Sequence, residues 1–190
     1  EETRRDALIP QLKQAVAHRR LAGTLLFQGL SFSPTEIGSS FPASLLAAGN
    51  QVLPNLYPHF NPIQVLPNEL NQLLRDDLNG VSTKFLREGL GILELDTGRY
   101  VPACSGAIPR RVLSAIEDDE GLDGADLLKK LGSSPFGYAP GVVKACVAGL
   151  LRDSKISIQP ETGAEITARR DAGVQDLFDS DRSFKRAQFS

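Results

Sequence analysis

Methionine and tryptophan are absent from the 190 residues, and cysteine occurs only twice. A chain with no methionine, not even an initiator, reads as a fragment of a longer protein. Cys104 and Cys146 stand far apart with no CxxC spacing, so neither a disulfide framework nor a zinc site is expected, and both thiols are expected to be buried and free. No stretch approaches the roughly 18 uncharged apolar residues of a bilayer-spanning helix, so no membrane partner is expected. The opening Glu1-Glu2-Thr3-Arg4-Arg5 leads into no apolar h-region, so the reading expects no signal peptide and a cytoplasmic location. Neither sign of charge is in excess: 21 Lys and Arg face 23 Asp and Glu, a formal net charge of −2. That balance removes the broad basic footprint common in nucleic-acid-binding domains.

What is present is ordinary globular composition, 41% apolar and 23% charged, at a length that suits one domain or two small ones. Arg4 to Leu21 has an amphipathic helical period, with Ala7, Leu8, Leu12, Ala15, Val16 and Arg19 at three- and four-residue steps. Thr24 to Gln28 reads as a buried strand ended by Gly29. A short helix is expected over Ser44 to Ala48. Pro54, Pro58, Pro62 and Pro67 then limit Asn50 to Pro67 to short helices or extended pieces packed on the protein. Asn68 to Leu78 restores a helical period with Asn68 as N-cap, and Ser82 to Leu86 offers a further turn. Leu90 to Leu95 and Arg99 to Val101 form a hairpin around Asp96-Thr97-Gly98. The hairpin is expected to separate an N-terminal α+β subdomain, residues 1–100, from a second domain, residues 101–190.

The second half carries a recognisable order of elements. Helices are expected over Ile108 to Asp119, Asp123 to Leu131 with Asp123 as cap, and Pro140 to Arg152 with Pro140 in the first turn. Lys155 to Gln159 and Ala164 to Thr167 follow as a hairpin, and Asp171 to Phe189 as a closing helix broken near Asp179-Ser180-Asp181. Three helices followed by a hairpin is the order of a winged-helix domain. The fold class expected is therefore α+β, mostly helical, with a winged-helix domain after a helix–strand and proline-punctuated segment.

In such a domain the third helix often enters the DNA major groove. Here that helix offers only Lys144 and Arg152, and the wing carries Glu161 and Glu165, which repel phosphate. Residues 101–190 hold twelve Lys and Arg against thirteen Asp and Glu. Lys129, Lys130, Arg169 and Arg170 are candidates for sequence-independent phosphate contact, together with Lys144 and Arg152 on the third helix. Packing or partner docking is the competing reading. Arg182, Lys185 and Arg186 add a second basic group that suits either solvent or an acidic surface.

Three segments carry a family resemblance. Ser134-Pro135-Phe136-Gly137-Tyr138-Ala139-Pro140, leading into a helix with Ala148-Gly149-Leu150-Leu151-Arg152, resembles the Pro-Pro-Tyr-Gly-Trp-Pro segment of the P-loop ATPases of BREX bacteriophage-defence systems (the BrxC and PglY proteins). Leu53-Pro54-Asn55-Leu56-Tyr57-Pro58-His59-Phe60 is similar to the Leu-Tyr-Pro-Arg-Phe segment of that family, and Gly23 to Gly29 to the helix-then-strand unit before it. Tyr138 stands where the family has Trp, Ala139 for Pro, Gly141 for Asp and His59 for Arg. The resemblance implies a non-catalytic region C-terminal to the ATPase core, serving DNA engagement or assembly. Its implied partners are double-stranded DNA, other phage-defence proteins and the rest of the parent ATPase. A stand-alone winged-helix regulator or protein-docking domain is the alternative. Locally, Gly137 is expected in a conformation that residues with Cβ avoid, Phe136 in the core and Tyr138 half-buried.

No catalytic constellation accompanies these segments. His18 and His59 lack a second ligand or base at motif spacing, and Asp76-Asp77 and Glu117 to Glu120 lack the EF-hand pattern. Cys104-Ser105-Gly106 lacks the elbow context of a nucleophile. There is no GxxxxGK[ST] loop, so no ATP site, cofactor, metal or enzymatic activity is expected in this stretch.

Overall fold

A computed structural model describes residues 10, 13–16, 18, 22–27, 29–119 and 121–190. Most of the helix expected over Arg4 to Leu21 lies outside the described residues, as does Gln28 at the end of the expected strand. The chain is α+β, mostly helical with small antiparallel sheets, and divides into two compact units, residues 1–58 and 59–190. The division falls well ahead of the hairpin at which the sequence reading drew it.

In the first unit, β1 (Leu25–Phe27) and β2 (Leu30–Phe32) pair antiparallel around Gly29, whose φ of +81° suits glycine. The expectation of a buried strand is corrected: Leu26 is 76% exposed. Among the described residues of this unit the ribbon has two strands, and a two-stranded ribbon leaves one face open. Helix α1 (Pro34–Ile37) starts on a proline and leads to α2 (Phe41–Leu56). The Ser40 side chain caps α2 by accepting from the Ala43 N–H, and the buried Ser44 hydroxyl donates to the Pro34 carbonyl at 2.6 Å, tying α1 to α2.

Helix α2 overrides the expectation of short pieces, because Pro54 lies in its last turn. There the missing donor frees only the carbonyl of Asn50, an exposed residue whose carbonyl can turn to water. The Tyr57 N–H then closes on the Leu53 carbonyl at 2.8 Å.

The second unit holds the large core. Helix α3 (Pro67–Leu73) is shorter than expected and is capped at Leu66, not Asn68, with Pro67 in its first turn. Glu69 reaches back to accept from the Leu66 N–H at 2.9 Å. One 3-10 turn, Thr83–Phe85, precedes the hairpin of β3 (Leu93–Asp96) and β4 (Arg99–Pro102), which turns at Thr97 and Gly98 with positive φ at both.

Helices α4 (Ala107–Glu117), α5 (Gly124–Gly132) and α6 (Pro140–Arg152) follow as the periodicity predicts, with strand β5 (Leu122–Asp123) between the first two. Asp123 caps α5 by accepting from the Asp126 N–H at 2.8 Å. The expected hairpin after α6 is reduced to β6 (Ile158–Gln159) and a single bridge from Ile158 to Ile166. The expected closing helix is two, α7 (Val174–Asp179) and α8 (Asp181–Arg186), parted at Ser180. Strand β7 (Gln188–Phe189), read in the sequence as helix, lies between β5 and β6 and pairs antiparallel with both.

At the centre lies α6, every residue of which from Val142 to Leu151 is buried. Helices α3, α4 and α5 and strand β4 all pack on it. Gly149 lets the helix approach Ile92 and Cys104 closely, where a Cβ would have no room. Phe178, Phe184 and Phe189 form a chain of tilted rings with centroids 5.9 and 5.2 Å apart, which fastens α7, α8 and β7 together. Both cysteines are buried and free, as expected.

Candidate functional site

Lys144, Arg152, Arg169 and Arg170, four of the six cations that were candidates for DNA, have acidic or carbonyl partners within the second unit, although the Arg170 side chain stays 77% exposed. Lys144 projects from α6 with its side chain only 9% exposed, and its Nζ donates to Asp181 Oδ1 at 2.6 Å over the ring of Phe184. That hydrogen bond holds the Asp181 carboxyl below its ordinary range. Arg152, at the end of the same helix, donates from Nη1 to the carbonyls of Leu73 and Arg75, at 3.1 and 2.6 Å, and from Nη2 to that of Asp76 at 3.1 Å. These carbonyls belong to the end of α3 and the turn after it, where helical partners run out, and a cation complements the helix dipole. Burial, and then the charge of Arg169, lowers the Arg152 pKa from its ordinary value.

Arg169 donates to the Leu74 carbonyl at 3.2 Å and pairs with Asp76, which also receives Arg170 at 2.9 Å. The two arginines, Arg169 foremost, hold the Asp76 carboxyl low. Arg152, Arg169 and Arg170 therefore gather at one place and clamp residues 73–76. Lys129 and Lys130 stand apart on the last turn of α5, both exposed, with Lys130 reaching the Ala115 carbonyl at 3.5 Å.

A second cluster forms where two of the family-like segments meet. The backbone N–H of His59 donates to the Pro135 carbonyl at 3.3 Å, and the His59 ring stacks on Phe136 at 5.8 Å between centroids. Arg111 of α4 joins them, donating from Nη1 to the Tyr138 hydroxyl at 2.9 Å and meeting His59 Nδ1 from Nη2 at 3.3 Å, with its guanidinium 6.0 Å from the Phe136 ring centre. Gly137 has φ +66°, the conformation expected of it.

The burial of the two rings is the reverse of the expectation: Tyr138 is 2% exposed and Phe136 is half-buried. Arg111 explains the reversal, since a buried phenol needs a partner for its hydroxyl and finds one there. The Tyr138 N–H donates to Leu131, which fastens the segment to the end of α5. Phe60 beside it is 60% exposed. Sequence reasoning found no second ligand or base for His59 and did not foresee the pairings of Arg111, Asp76 and Asp181. Their partners lie 27 to 94 residues away, so no local spacing announces them.

Chemically these clusters hold segments together through charge-assisted hydrogen bonds and ring contacts. Among the described residues no three of His, Cys, Asp and Glu are grouped to bind a metal ion. Burial pushes the Cys104 thiol up to about 12 and raises Cys146 well above its ordinary value, so neither is a thiolate near neutral pH. Comparison with known protein families, with curated proteins and with solved structures gives no match to this chain.

Proposed function

We propose that this chain is a non-catalytic assembly module, docking on protein partners within a BREX-like phage-defence ATPase. Its second half is read as an elaborated winged-helix domain. Support comes from the order α4, β5, α5, α6, β6, β7 and from the central place of β7 between β5 and β6. In this reading the wing is enlarged to residues 160–187 and carries α7 and α8.

The observation that carries docking over DNA reading is the enclosure of α6. The helix that would enter a groove has residues 142–151 buried, and its two cations are bound by Asp181 and by backbone carbonyls. A surface this unit offers a partner is the junction of the two family-like segments, with Phe60 and His59 exposed beside Phe136. Aromatic rings with an arginine are the side chains that anchor protein interfaces.

Fluorescence anisotropy of labelled duplex DNA, titrated with the protein at two salt concentrations, tests the reading. No binding at low salt is the expected result. Salt-sensitive binding lost on neutralising Lys129, Lys130, Arg169 and Arg170 would overturn it in favour of phosphate engagement.

A further inference from the structure

Strand β3 has one edge that its own unit leaves unpaired. The two-residue turn at Thr97 and Gly98 makes Asp96 and Arg99 a hydrogen-bonded pair, and the Ala103 N–H on the Ile92 carbonyl, at 3.0 Å, keeps the same alternation. Leu93 and Leu95 fall between those pairs, so their N–H and C=O groups point away from β4. None of these groups has a partner among the described residues. Two residues earlier the Gly91 N–H is taken by the Leu86 carbonyl at 2.9 Å, so the chain fills the edge up to that point and leaves it open beyond.

A groove of about 370 Å³ lies beside this edge, within the range of roughly 300–1,000 Å³ usual for binding clefts, and its lining includes Leu86, Leu93, Leu95 and Tyr100. Leu93 and Leu95, two residues apart, share one face of the hairpin, and Tyr100 stands across from Leu95 on it. Leu95 is 66% exposed. The devices that protect an edge, a proline, a lysine or a bulge, are missing from β3, whereas β4 carries Pro102 and packs on α6.

Charge selects the occupant. Glu94 bonds the neutral Ser105 hydroxyl at 2.5 Å, and neither Glu94 nor Asp96 has an ion-pair partner among the described residues. A second copy paired edge to edge sets Glu94 against Glu94 when Leu93 meets Leu95, and Glu94 against Asp96 when Leu95 meets Leu95. Leu93 set on Leu93 drives the copy's Leu95 onto Gly91, where Leu86 already stands.

We propose that the outer edge of β3 takes up an extended segment of a partner protein as an added strand, with apolar side chains opposite Leu93 and Leu95 and Lys or Arg opposite Glu94 and Asp96. This rests on the reading that the chain docks on proteins, and it uses residues distinct from those of the His59 and Phe136 junction.

The probe is a fluorescein-labelled Thr-Val-Lys-Val-Lys-Val-Thr peptide, titrated with the full chain and followed by anisotropy. N-methylation of its valine amides, which face the edge, should weaken binding at least about tenfold. L95P should do the same, since it removes an outward N–H and no bond of the ladder to β4. Glu in place of both Lys should weaken binding at least about threefold at low salt. Bound peptide should slow hydrogen exchange at the Leu95 amide at least about tenfold. Failure of the peptide to bind would overturn the proposal, and so would binding or exchange indifferent to these changes. A dimer of the chain that is lost in L95P would overturn it too, giving the edge to a second copy. The N-methylated peptide meets the unaltered protein, so it decides should L95P unfold. DNA binding in the titration described above would overturn the assembly reading and leave the peptide result standing.

Discussion

Helices α2 and α6 are similar in length, 16 and 13 residues, and both start on a proline turn, yet their fates differ. Ten consecutive residues of α6 are buried, whereas α2 buries only Ser44, Ala48 and Val52. Neither length nor apolar content separates them. What separates them is the number of elements the surrounding chain brings to each. Helices α3, α4 and α5 and strand β4 close around α6, while among the described residues α2 packs chiefly on α1 and β1. A helix core is thus a property of its neighbours.

The strongest way to break the comparison is to truncate a buried leucine of α6. Leu150→Ala should lose about 3–4 kcal/mol, read by urea unfolding of the second unit. Gly149→Val puts branched carbons where Ile92 and Cys104 already stand and should cost about 1–3 kcal/mol by the same measurement. Lys144→Met keeps the apolar stem but loses the bond to Asp181 and the contact with Phe184, for about 1–2 kcal/mol.

Acid sharpens the comparison in another way. Glu69, Asp76, Glu161, Asp171 and Asp181 all sit below their ordinary values, each held by a cation or by backbone N–H groups, and all belong to residues 59–190. A carboxyl depressed in the folded state binds protons more tightly when unfolded. Its contribution is therefore complete above the ordinary values of 4.5 and 3.8 and is lost as the pH falls through the folded values. Melting temperature followed from pH 7 downward should stay level and then fall below about pH 4.5, as these five carboxyls of the second unit take up protons. The smallest effect is expected at Leu53→Ser on the open face of α2, under about 1 kcal/mol in the melting of the first unit.

Much of the fold was legible because it rests on local chemistry. Asp123 caps α5, Pro140 opens α6, Thr97-Gly98 turns the hairpin, and Ser180 parts α7 from α8, each as the residues indicate. The failures share a different cause. The helix expected over Ser44 to Ala48 was drawn too short, because Pro54 counts as a breaker only when its position in the helix is unknown. The places of Tyr138 and Phe136 were exchanged because the phenol's partner, Arg111, lies 27 residues upstream. The candidate cations were named as free charges, whereas Lys144 finds Asp181 at a distance of 37 residues and Arg170 finds Asp76 at 94. Ion pairs of such separation have no periodicity to read.

Strand β7 has a consequence for biosynthesis. Because residues 188–189 fill the gap between β5 and β6, those two strands have no shared partner while the ribosome is still translating the stretch between them and Phe189. During that interval both expose unpaired backbone edges, and the nascent chain is open to association with other chains. A stall ahead of Gln188 would leave a helical intermediate whose sheet cannot close.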